Sequence, residues 1–117
     1  MYDLEERTLN LTIEVRKLCK QIPKTITNID DVKQVIRSSG SVGANYIEAN
    51  ESLGKKDFLM RIRISRKEAR ETAYWLKVIQ KTSDLDTDLN SKLENLISEV
   101  IQISRIMSSI INKVKEK

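Results

Sequence analysis

The chain has no histidine. That absence removes the commonest general base, the usual imidazole metal ligand, and the Glu-x-x-His pairs that hold di-metal centres in helical bundles. There is one cysteine, Cys19, so no internal disulfide forms. Cys19 sits at the edge of an apolar stripe and reads as a small packing residue, not a nucleophile. One proline and three glycines leave little turn chemistry, and aromatics are only 4%, so a core must be built from Ile, Leu and Val. No apolar run approaches membrane-span length, and the acidic start, Tyr2-Asp-Leu-Glu-Glu6, has no apolar leader pattern. A soluble, cytoplasmic protein without a membrane partner is expected. Gly40-Ser-Val-Gly43 is no phosphate loop, because the spacing is wrong and the Gly-Lys-Ser/Thr ending is missing. No catalytic residues, metal site or cofactor are expected, and the protein is read as non-enzymatic.

What is present is helical periodicity. The 117 residues allow one domain, 1–117. Asp3 and Glu6 have capping-box spacing, and Leu4, Leu11, Val15, Leu18 and Ile22 then form a seam that Pro23 ends. A second helix is predicted from Thr27 or Asn28, with Asp30 and Asp31 in its first turn. Val32, Val35, Ile36, Ser39, Val42, Tyr46 and Ala49 would face inward, and Gly54 would stop it in the left-handed conformation. The small-residue run Ser38–Ala44 costs helix propensity but keeps the heptad phase. A continuous helix is expected there, with a neighbouring backbone packed close. The third helix spans 55–82, with Phe58, Ile62, Ser65, Ala69, Thr72, Leu76 and Ile79 inward. Asp86 or Thr87 caps a fourth. Its seam reads Leu89, Leu93, Leu96, Val100, Ile103, Met107, Ile110 and Val114, with Ile97, Ile101, Ser104, Ser108 and Ile111 beside it. Short connections make consecutive helices antiparallel, so the expected fold is an all-α, up-down-up-down four-helix bundle.

Charge is uneven along the chain. The net charge is +4, but residues 54–81 hold nine Lys/Arg against three Asp/Glu, and the flanking segments are close to neutral. Arg63, Lys67, Arg70, Tyr74, Lys77 and Lys81 repeat at helical spacing opposite the core face of the third helix. A localised basic strip with an aromatic in it is an electrostatic footprint for phosphate. No helix-turn-helix pattern accompanies it, which favours RNA or an RNA–DNA hybrid over specific duplex DNA. An acidic protein partner is the alternative.

Two further features bear on assembly. The fourth helix carries more apolar residues than one seam uses, leaving Ile97, Ile101 and Ile111 partly exposed. On the third, Ile64, Trp75 and Val78 form a side stripe with Glu68 and Glu71. These stripes predict self-association, cyclic if the two patches differ. Glu48, Glu68 and Glu71 are best explained as partners of Arg37, Arg61 or Arg66.

Three segments together resemble a known family: Tyr2-Asp-Leu-Glu-Glu-Arg-Thr8; Arg37-Ser-Ser-Gly-Ser-Val-Gly-Ala-Asn-Tyr-Ile-Glu-Ala-Asn50; and Lys55-Lys-Asp-Phe-Leu59 with Arg66-Lys-Glu-Ala-Arg-Glu-Thr-Ala-Tyr-Trp-Leu76. The chain resembles the bacterial four-helix-bundle proteins related to the intervening-sequence protein encoded within insertions of some large-subunit ribosomal RNA genes. It is more distantly similar to the accessory variability protein of diversity-generating retroelements. The resemblance implies a ring of bundles, commonly a homopentamer, and brings no catalytic motif. In the retroelement relative it implies binding to nucleic acid and to a reverse transcriptase. The matching region here is the basic third helix, which carries Arg63, Lys67, Arg70 and Lys77.

Overall fold

The structure, a computed structural model, describes residues 3–116. Tyr2, which opens the first of the three segments above, lies outside them. Four helices account for most of the described chain: α1 (Leu4–Cys19), α2 (Ile26–Asn50), α3 (Lys55–Thr82) and α4 (Thr87–Lys115). Each packs on two others, in the closed order α1, α2, α3, α4 and back to α1, with no diagonal packing. Contacts run in opposite sequence directions across each pair. Thr8 meets Gly43 while Thr12 reaches Ser39, and Ser38 meets Thr72 while Ser65 reaches Val42. This is an antiparallel up-down-up-down bundle, 48 × 23 × 20 Å.

Side-chain caps start three of the helices. Asp3, Thr25 and Asp86 accept from the amides of Glu6, Asn28 and Leu89 at 3.1, 3.2 and 2.8 Å. α2 begins one or two residues earlier than predicted, which leaves Asp30 and Asp31 beyond its first turn. The reason lies in the preceding turn. The Pro23 carbonyl accepts from the Thr25 amide and from Asn28 Nδ2, both at 3.0 Å. Buried Asn28 is thereby an anchor, and its Oδ1 also accepts from Ser83 Oγ at 3.0 Å, tying together two loops at one end of the bundle. α1 stops at Cys19, before the predicted end, yet Ile22 remains buried beyond it. Gly54 is not a left-handed stop. It is the N-cap of α3 with extended backbone, φ −148°, and no described glycine has positive φ.

The core of α3 follows the predicted seam. Ile62, Ser65, Ala69, Thr72, Leu76 and Ile79 are buried, and Phe58 is half-buried. On α2, Val35, Ser39, Val42 and Ala49 are buried, whereas Val32, Ile36 and Tyr46 are half-buried. α4 departs from expectation. Ile97 and Ile111 are buried in the chain's own core at 5% and 3% exposure, not left on an outer stripe. Leu96, Ile110 and Val114, placed on the seam by the sequence, are half-buried. A helix in a closed ring faces two neighbours, so its apolar stripe is broader than one heptad seam. The α3-facing flank of α4 accordingly turns inward.

The Ser38–Ala44 run is helical throughout. Its small side chains admit both neighbours. A Cβ on Gly43 would lie 2.8 Å from Thr8 Oγ1 of α1. On the other side Ser65 Oγ donates to the Val42 carbonyl at 2.6 Å, and the Ser38 and Thr72 hydroxyls share a hydrogen bond of 2.8 Å.

Candidate nucleic-acid interface

The cations along α3 and its α2 neighbour fall into two sets. On the α2 flank of α3 they are paired. Arg37 of α2 donates to Glu68 Oε1 at 3.0 Å and to Glu71 Oε2 at 2.6 Å, and Arg61 reaches Glu48 at 3.5 Å. Glu68 is almost wholly buried. Burial pushes the Glu71 carboxyl upward, but hydrogen bonds and charge from Arg37 outweigh it and hold its pKa below the usual carboxylate value. The same bonds raise Arg37 above its ordinary value. Arg66, the third expected partner, makes no ion pair among the described residues and donates to Ser108 Oγ of α4 at 3.0 Å.

On the other flank lie Arg63, Lys67, Arg70, Tyr74, Lys77 and Lys81, and all six are exposed. None of the five cations in this strip forms an ion pair among the described residues. Arg66 records the crowding of like charge: desolvation lowers its pKa, and repulsion from Arg70 and Arg63 lowers it further. Exposed Arg105 sits one turn beyond Ile101 on α4, a position that sequence reading did not single out.

The interface stripe separates in the same way. Ile64, Trp75 and Val78 are half-buried on α3. The indole N–H of Trp75 is buried without a regular hydrogen bond to any described residue, and it lies near enough to Glu71 to help stabilise that charge. Ile101, expected beside them, instead shares a surface notch of about 250 Å³ with Arg70, Tyr74 and Lys77. With Ile97 and Ile111 in the core, α4 contributes less to the stripe than predicted. The large exposed apolar side chains of α1 and α2, Leu9, Ile13, Ile26, Ile29 and Ile47, were not anticipated. Their signal was present as isolated outward positions with no heptad continuity.

Cys19 is half-buried, and desolvation lifts its thiol pKa to about 11 despite the opposing charge of Arg16. It stays protonated near neutrality. No helix is long and apolar enough to cross a membrane among the described residues, and no cluster of potential metal ligands occurs among them.

Residues 2–109 match the family described as 23S rRNA-intervening sequence protein, and the chain belongs to that family. A crystal structure from Bacteroides thetaiotaomicron, described as a protein with unknown function from the S23 ribosomal protein family, has the same fold. It aligns with TM-score 0.78 and 27% identity over 92% of this chain and 96% of that one. No curated protein matches the chain.

Proposed function

We propose that this protein is a non-enzymatic, oligomeric accessory protein that binds RNA, or an RNA–DNA hybrid, through the basic face of α3. One observation carries the reading. The cations of the α2 flank are neutralised by glutamates, while Arg63, Lys67, Arg70, Lys77 and Lys81 are exposed and have no acidic partner among the described residues. Uncompensated guanidinium and ammonium groups in a row attract a polyanion and release its counterions. A family named for an insertion in ribosomal RNA is consistent with an RNA ligand.

Self-association is the second part of the proposal. Half-buried Ile64, Trp75 and Val78 offer one apolar stripe on α3, and single exposed apolar side chains on α1 and α2 offer unlike contact points for a second copy. Contact between unlike surfaces closes into a ring when the rotation per subunit allows it, and the homopentamer is the form that the family resemblance implies. A ring would repeat the strip and convert weak phosphate contacts into avidity.

The test is binding of a mixed-sequence RNA followed by light scattering across a salt series. Uptake at low salt and release as salt rises is expected, with the charge reversals Arg63→Glu, Lys67→Glu, Arg70→Glu and Lys77→Glu together abolishing uptake. Intact affinity in that variant would remove the strip from function. A protein that ignores RNA at low salt would redirect the search to an acidic protein partner.

A further inference from the structure

Resting on the nucleic-acid reading, we infer that the notch between α3 and α4 receives one unpaired nucleobase, so that the strip selects single-stranded over duplex polynucleotide. Three exposed side chains rim the notch: Arg70, Tyr74 and Lys77. Buried Ala69 and Ala73 and half-buried Ile101 line its floor. The two alanines are four residues apart on α3, and their size leaves the depression open. Ile101 from α4 closes the far side. This is apolar surface placed between two unpaired cations with an aromatic wall, the combination that stacks a base while its flanking phosphates are neutralised.

The chemistry also says what the notch does not read. The Ser104 hydroxyl, the remaining polar group at the floor, donates to the Ile101 carbonyl at 2.7 Å. The floor itself is left with no free donor, only the acceptor capacity of that oxygen. The floor therefore receives a base by stacking and shape, with little discrimination of base identity. A regular duplex keeps its bases stacked inside and offers the floor nothing, whereas a strand, loop or bulge can splay one out.

Tyr74 makes an edge-to-face contact with Trp75, ring centroids 5.0 Å apart at 82°. Trp75 is the only tryptophan in the chain, so its fluorescence reports on Tyr74. The experiment compares three probes of equal phosphate number at low salt: oligouridylate, an abasic strand, and a duplex RNA. Oligouridylate should bind about ten-fold tighter than the abasic strand, the order of one stacked base, and should alone change Trp75 emission. It should also bind more tightly than the duplex. Tyr74→Ala should erase the difference between base-bearing and abasic strands, and Tyr74→Phe should keep it. Equal binding of the base-bearing and abasic strands by the unmodified protein would overturn the notch while leaving the basic strip intact. So would a preference for duplex, or a Tyr74→Ala variant that retains the gap. Failure of all three probes to bind would overturn both readings.

Discussion

Thr8 of α1 and Gly43 of α2 approach so closely that a methyl group on residue 43 would lie 2.8 Å from the threonine Oγ1. Thr8 is buried and its hydroxyl already donates to the Leu4 carbonyl at 2.7 Å, so it cannot swing away without losing that bond. Gly43→Ala is therefore expected to destabilise the bundle by about 1–2 kcal/mol, overpacking outweighing the gain in helix propensity. Gly40, three residues earlier, is the control. Its Cβ would meet nothing closer than Arg16 Nη2 at 3.7 Å, and Gly40→Ala should stabilise by about 0.5–1 kcal/mol. Urea unfolding of the two variants should move in opposite directions.

Arg37 spans two glutamates a turn apart on α3, one of them buried. Arg37→Met should cost about 1–3 kcal/mol, because Glu68 is left with an unpartnered charge, and the exposed half of Arg37 moderates the loss. Glu68→Gln in the same background should recover part of it, which thermal melts of the single and double variants would show.

The same bridge sets an acid limit. The folded pKa of Glu71 is lower than its ordinary value, so its contribution to stability is complete above the unfolded pKa of about 4.5 and is lost as pH falls through the lower folded value. The urea midpoint of the unmodified protein should drop across that window. The Arg37→Met variant should show a shallower drop. Identical profiles would mean that the bridge does not govern acid stability.

Leu76 is fully buried on the core face of α3, and Leu76→Ala should cost about 2–5 kcal/mol. Adjacent Trp75 is only partly covered by its own chain. Trp75→Ala is expected to yield a folded protein of lower mass in light scattering, with helical circular dichroism retained. An unchanged oligomer would place the assembly surface elsewhere.

At Cys19 the raised thiol pKa of about 11 leaves very little thiolate at neutral pH. Alkylation of the native protein near pH 8 should be much slower than that of the urea-unfolded chain. A native rate equal to the unfolded one would show that the side chain is not held in its half-buried position.

The four helices, their antiparallel order and the two faces of α3 were legible because they rest on local regularities: heptad spacing, capping side chains, and connections too short to cross the bundle. α3 was the clearest case, since its core face is marked by Ile62, Ala69, Leu76 and Ile79 while Arg63, Lys67 and Arg70 mark the other side. α4 was ambiguous because apolar residues stand side by side at 96 and 97, at 100 and 101, and at 110 and 111. Periodicity says which residues share a face. It does not say how far a neighbour covers that face, and that coverage sent Ile97 and Ile111 inward and left Leu96 and Ile110 at the edge. The pairing of Arg37 with Glu68 and Glu71 and the notch joining Ile101 to Tyr74 were likewise decided by tertiary structure. Each depends on distances between residues 25 or more positions apart, and no local pattern encodes them.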